Sequence, residues 1–376
     1  MSEYTAANAP FRAEHVGSFL RPKHLLDARD RHAAGEIGAD ELRTIEDAAI
    51  RDVVKLQEDL GLSSITDGEY RRSTYSDSFT TAGLDGVTAD FTGEGKWAYQ
   101  DRHGHRTAAR IPTVTGKIVW QSSKNVRDFE FLASLTDRLP KMTLPGPAYI
   151  HYRGGRDHIS ADAYPNLDDF WSDLVAAYHA EMKALYDAGC RYIQFDETSL
   201  AKLGDPKIQS ALAERGDDWQ DLLEIYTDAI NAVVSGAPAD MGVGIHLCRG
   251  NNQGHWQAEG GYDGIARALF RKVNIGGYFL EYDSPRAGTF APLAEVPQGK
   301  NIVLGLVTTK VADIEERDAV LARIEEAAKI VPLDQLCLSP QCGFASSFQG
   351  NPLGVEEQNA KIRLVVDIAK EVWGTA

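Results

Sequence analysis

The chain has 376 residues, 43% of them hydrophobic, and a formal net charge of -16. That charge argues against nucleic acid or an anionic membrane surface as the main partner, and no apolar run approaches the ~20 residues of a membrane span. Four cysteines are too few for a disulfide framework, and the first residues lack a basic-then-apolar secretory layout, so the expectation is a reduced, cytoplasmic protein.

Eight short apolar runs read as strands, at residues 15–18, 63–67, 141–144, 191–196, 242–248, 277–281, 301–307 and 335–339. Helical patterns separate most of them. Leu42, Ile45, Ala49, Val53, Leu56 and Leu60 recur at steps of three or four, and Gly61 is placed to end that helix. Residues 71–140 are too long for one crossover helix. Within them, residues 96–120 read as a β-hairpin, followed by a helix over 126–135. This insertion could cover the barrel mouth or form an oligomer contact; the sequence leaves the oligomeric state open. Phe170, Leu174, Tyr178, Met182 and Leu185 repeat the helical spacing, with Gly189 ending the run. Segments 219–233, 262–273, 314–330 and 355–372 are further amphipathic candidates. Strands alternating with helices imply a parallel sheet, and eight of them imply a closed (β/α)8 TIM barrel, read as one domain over residues 1–376.

In such a barrel, functional side chains gather at the C-terminal strand ends. His15 opens a run in which Gly17 allows close backbone approach and Ser18 offers a hydroxyl. Arg21 beyond it could clamp a carboxylate or sulfonate, or could belong to an ordinary turn. Glu69 could accept hydrogen bonds from a substrate ammonium, with Arg71 and Arg72 nearby for an anionic end; a solvated charged loop is the plain alternative. Asp196 and Glu197 could bind an amino group or carry protons, or one could cap a helix. His246 and Cys248, two apart on a strand, point to the same side. Glu281 ends the sixth strand and Cys342 follows the eighth. Imidazole, carboxylate and thiolate are all ligand types that zinc accepts, although a cysteine is commonly a small buried hydrophobe, the reading given to Cys190 and Cys337. A thiol bound at such an anionic zinc site stays ionised yet nucleophilic, which points to alkyl transfer onto sulfur. Lys310, after the seventh strand, could meet an anion or stand at the surface.

Taken in order, HVGSFLRP from His15, TDGEYRR from Thr66, YIQFDET from Tyr192, IHLCRGN from Ile245, FLEYDSPRAGTFAPL from Phe279, GLVTTK from Gly305 and SPQCGFASS from Ser339 resemble the cobalamin-independent methionine synthase family. The resemblance spans nearly the whole chain and is closest to short, single-barrel members that match the C-terminal catalytic half of the long enzyme. It implies a zinc ion held by His246, Cys248, Glu281 and Cys342, with the acceptor thiol joining the metal and loosening the glutamate. It implies that Ser18, Glu69 and Asp196 hold the amino and carboxylate groups of homocysteine; His15 and Arg21, from the same first motif, are read as further substrate-binding candidates. The implied reaction is methyl transfer to the homocysteine sulfur. Two departures bear on the donor. The long enzyme's N-terminal barrel, which helps hold a polyglutamylated folate, is expected to be absent, and a histidine after its seventh strand is replaced by Thr308-Thr309-Lys310. The donor therefore stays open between methyltetrahydrofolate, methylcobalamin on a corrinoid protein and another small molecule. The rival readings are a zinc thiol alkyltransferase resembling the epoxyalkane:coenzyme M transferases and a non-catalytic zinc barrel. Within the transfer reading, Asp196, Glu197 or a group on the insertion are the candidate proton carriers.

Overall fold

A computed structural model describes residues 4–93, 97–101 and 103–376 of the chain. It is a (β/α)8 barrel. The first helices, α1 (Lys23–Ala33) and α2 (Ala39–Leu60), follow the N-terminal extended segment. The spacing of Ala49, Val53 and Leu60 does place one face of α2 in the core, and the helix ends at Gly61 as its sequence implies. Strand β1 (Ser64–Ile65) comes next.

The insertion then departs from the barrel rhythm. It contains α3 (Thr80–Gly83), β2 (Leu84–Gly93), β3 (Tyr99–Gln100), β4 (Arg106–Thr107), β5 (Ala109–Trp120) and α4 (Lys124–Ala133). β2 and β5 pair antiparallel from Leu84 opposite Trp120 to Gly93 opposite Ala109. The hairpin therefore starts at Leu84, earlier than the expected 96–120. The register shifts between Asp85 and Val87, and that bulge breaks the alternation by which a strand is read. Lys96, at the start of the expected hairpin, lies outside the described residues.

The chain continues through β6 (Leu139–Pro140), β7 (Met142–Pro145), α5 (Tyr149–Tyr152), α6 (Leu167–Asp187), β8 (Tyr192–Asp196), α7 (Pro206–Arg215), α8 (Trp219–Val234), β9 (Gly242–Leu247), β10 (Gly277–Glu281), β11 (Asn301–Val307), α9 (Arg317–Ala328), β12 (Leu336–Pro340) and α10 (Val355–Trp373). β7 to β12 form one six-stranded parallel sheet in chain order. Every residue of β8, β10 and β12 is buried, as expected where helices cover one face and the barrel interior the other. The expected helix over 262–273 is reduced to a π-helical turn, Ala268–Lys272. Tyr262 is instead drawn inward, its hydroxyl donating to the Leu247 carbonyl at 3.0 Å and accepting from the Glu281 amide at 2.9 Å.

The first barrel strand is the irregular one. Pairing to β12 occurs at residues 12–14, not 15–18: the Glu14 amide donates to Leu338 and the Leu338 amide to Arg12, both at 2.9 Å. Residues 15–18 then reach β1 mainly through side chains. The Thr66 hydroxyl donates to the Gly17 carbonyl at 2.6 Å, and His15 Nε2 lies 3.1 Å from the Ser64 carbonyl. Beneath this seam is a fully buried ion pair, Lys141 Nζ to Glu14 Oε2 at 2.9 Å. Ser64 Oγ (2.8 Å) and the Tyr192 hydroxyl (3.1 Å) donate to the same carboxylate. Strands one, two, three and four are thus tied by one polar knot where the ladder is interrupted.

Candidate active site

The C-terminal ends of β9 and β12 bring His246, Cys248 and Cys342 together. Their ligand atoms all lie within 4.8 Å of one another, and among the described residues they form the one such group. All three are buried. Both ring nitrogens of His246 are buried without a hydrogen-bond partner. Leaving two such atoms unsatisfied is costly unless a further group binds them. A hydrogen bond from the Cys342 thiol, reinforced by His246, holds the Cys248 sulfur well below the ordinary thiol pKa against the opposing effect of burial. One imidazole and two sulfurs, one of them readily ionised, suit a thiophilic divalent ion such as zinc.

Glu281, expected as the fourth ligand, stands outside this group. Its Oε1 accepts from Arg286 Nη2 at 2.7 Å and Lys310 Nζ at 3.2 Å, and its Oε2 from the Arg249 amide. Burial alone would raise its pKa, but Lys310, Arg286 and Arg249 outweigh burial and lower it. Three cationic or amide donors thus satisfy the carboxylate within the protein. Lys310, left open between anion binding and surface, is therefore spent on Glu281.

A cavity of about 440 Å³ opens above the trio. Ser18, Glu69 and Asp196 line it together with His246 and the two cysteines. Asp196 is opposite His246 in the β8–β9 register and receives Gln194 Nε2 at 2.8 Å. Burial raises its pKa to about 7. Glu69 sits at φ 60°, an uncommon backbone angle for a side chain of this size, and its Oε1 accepts from Thr143 Oγ1 at 2.7 Å. Gly17 permits this placement, since a Cβ there would lie 2.8 Å from Glu69 Oε1. Its close approach serves a protein carboxylate, not a ligand.

Other candidates turn away. Glu197 is fully buried and absent from the cavity wall; it accepts from the Ser199 amide at 2.8 Å and the Ala148 amide at 3.2 Å, pinning two loops. Arg21 spends its guanidinium on the carbonyls of Glu69 (2.6 Å), Arg72 (2.8 Å), Ala345 and Ser347. It is a loop clamp, so its fork is no longer free for a carboxylate. His15 is buried in the strand seam against Phe19, with ring centroids 5.4 Å apart, and does not face the cavity. Arg71 pairs with Asp47 and Asp128, and Arg72 donates to Thr143 Oγ1 at 2.7 Å.

The cavity wall adds residues that the sequence reading passed over: Tyr75, Tyr99, Tyr149 and Arg153. Tyr149 and Arg153 follow β7, so the strand-end argument applied to the third barrel strand would have found them. Tyr99 belongs to the insertion, and nothing in its local sequence ties it to this cavity.

The family model for the cobalamin-independent synthase catalytic domain matches residues 11–371. The chain belongs to this family. Within it, the chain is 42% identical over 367 residues to the uncharacterized protein YxjH of Bacillus subtilis strain 168, covering 97% of this chain and 95% of that one. A solved structure from Listeria monocytogenes, provisionally described as a vitamin-B12 independent methionine synthase, superposes with a TM-score of 0.75 at 39% identity, covering 97% of this chain and 99% of that one. The 5-methyltetrahydropteroyltriglutamate–homocysteine methyltransferase of Bacillus velezensis is 24% identical over 95% of this chain, which spans 42% of that protein's length. The family assignment rests on nearly the whole chain, and with it the barrel fold.

Proposed function

We propose that residues 1–376 act as one zinc-dependent methyltransferase barrel that alkylates the thiol of homocysteine to give methionine. The observation that carries this reading is the juxtaposition of two kinds of group in one cavity. His246, Cys248 and Cys342 converge within 4.8 Å, and the carboxylates of Glu69 and Asp196 line the same space. The three ligands would hold zinc, which when bound supplies ionisation of the acceptor thiol, a group mostly protonated at neutral pH on its own. Glu69 and Asp196 bind the ammonium of the amino acid and so fix where its sulfur lies. Arg72 already stands 3.7 Å from Glu69 Oε1, and a substrate ammonium would add a second positive charge beside these buried carboxylates. A sulfonate thiol such as coenzyme M has no ammonium for them, and Arg21, Arg71 and Arg249, which would favour it, are engaged within the protein. Of the proton carriers considered, Asp196 reaches the cavity and Glu197 does not. The chemistry needs Cys248 and Cys342 reduced, as the cytoplasm would keep them.

The test is methionine formation by zinc-loaded protein with homocysteine and a panel of donors: methyltetrahydrofolate with one and three glutamates, methylcobalamin, and S-methyl compounds. Formation with any of them supports the reading; none with every donor opposes it. In the productive pair, Asp196→Asn raises the KM for homocysteine about 10- to 100-fold, the scale of one hydrogen bond to a charged group, and leaves the zinc content unchanged. A variant that lost metal but kept KM would move Asp196 from substrate holding to support of His246.

A further inference from the structure

We propose that Arg153 recognises an anionic group, a carboxylate, phosphate or sulfonate, on the methyl donor, and that the hairpin insertion builds this subsite. The donor half of the assignment rests on the methyl-transfer reading above; the anion half does not.

Arg153 lines the cavity and is 4% exposed. Its Nη1 donates to the Arg110 carbonyl at 2.8 Å and its Nη2 to the Tyr99 hydroxyl. Its Nε is buried with no partner. Its guanidinium carbon lies 5.4 Å from the Tyr99 ring centroid and 5.8 Å from that of Tyr149. Among the described residues no carboxylate pairs with it. A guanidinium buried without a counter-ion is several kcal/mol out of balance. Aromatic faces and two neutral acceptors offset part of that, and an incoming anion would offset the rest.

The other cations near the site are already matched. Arg110 pairs with Asp77, and Lys310 and Arg286 with Glu281. Lys202 adds little to the imbalance, because burial lowers the pKa of its ammonium to about 7. It is fully buried behind Tyr99, its Nζ donates to Thr198 Oγ1 at 3.3 Å, and it too lacks a carboxylate partner among the described residues. The cavity is therefore lined both by the carboxylates of Glu69 and Asp196 and by the guanidinium of Arg153. An amino-acid thiol with its ammonium on those carboxylates leaves Arg153 for the second substrate.

This part of the lining is also close to the metal ligands. Tyr99 packs on Gly250, two residues after Cys248, where a Cβ would lie 2.8 Å from Tyr99 Cε1. A larger residue at 250 would push the hairpin off. An anion held by Arg153 thus anchors a donor beside the sulfurs, and the insertion supplies the aromatic surface that keeps the arginine in place.

The experiment is calorimetric titration of inorganic phosphate and of methanesulfonate into zinc-loaded protein, with and without saturating homocysteine. Wild type should bind at least one of them. Arg153→Met should weaken binding at least about 10-fold. Arg153→Lys, which keeps the charge, should retain binding within a few-fold of wild type, with unchanged far-ultraviolet circular dichroism. Homocysteine should leave the anion affinity unchanged. Absence of binding by wild type, or equal binding by wild type and Arg153→Met, overturns the proposal. Competition by homocysteine overturns the donor assignment by placing Arg153 on the thiol side. Arginine-dependent anion binding in a protein that methylates no thiol would sustain the anion site while the methyl-transfer reading fails.

Discussion

Cys342→Ser yields a folded barrel that has lost its metal. The side chain is in a loop two residues past β12, is 5% exposed, and its thiol meets the Cys248 sulfur and, at 3.6 Å, Ser346 Oγ. The exchange of sulfur for oxygen leaves the packing nearly unchanged, so the stability of the metal-free protein shifts by no more than about 1 kcal/mol. The metal is another matter. A serine hydroxyl does not ionise as a thiol does, and zinc prefers the softer thiolate. Removing partners that only orient zinc ligands typically costs 10- to 100-fold in affinity, so removing one of the proposed direct ligands should cost at least ~100-fold. Zinc per chain after dialysis against a competing chelator, read by mass spectrometry, and unfolding of the apo forms separate the two effects. Full zinc retention would remove Cys342 from the ligand set.

The second large effect lies at the other end of the barrel. Lys141→Met should destabilise the protein by about 3–5 kcal/mol, the usual consequence of stranding one member of a buried pair. Lys141 and Glu14 are both fully buried, and Lys141 Nζ also donates to the His15 carbonyl. The methionine leaves the Glu14 carboxylate with only neutral donors: Ser64, Tyr192 and the Phe11 and His15 amides. The damage should spread along the seam, because the pair joins the first extended segment to the third barrel strand where pairing to β1 runs through side chains. The double variant Glu14→Gln/Lys141→Met should recover part of the loss, since no uncompensated charge remains. Denaturant midpoints of the three proteins measure this. A single variant within 1 kcal/mol of wild type would show that the seam does not depend on the pair.

Much of the barrel was legible because its strands are locally declared. β8 to β12 are short, mostly apolar runs with polar or glycine ends, and α2 and α6 repeat at helical spacing. The reading failed where pairing is not a local property. The first strand pairs three residues earlier than its apolar run suggests, because its register is set by Leu338, far along the chain. The hairpin hid behind a bulge. At the site, strand-end logic reached His246, Cys248, Cys342, Ser18, Glu69 and Asp196, all of which meet in one cavity. It could not tell which charged residues at the same strand ends face inward. Arg21, Glu197 and Glu281 have suitable chemistry at suitable positions, yet each is committed to other protein groups.

Residue type and order along the chain determined the alternation of strands and helices, the strand ends where chemistry collects, and the sulfur and imidazole donors available there. Only the tertiary structure decided which polar groups remain unsatisfied once every internal partner is counted. His246 keeps two free nitrogens, whereas the carboxylate of Glu281 and the two terminal nitrogens of Arg21 are taken up by protein groups. A sequence states what each side chain can donate or accept, but the remainder left for a ligand depends on neighbours brought from distant segments, and that sum exists only after folding.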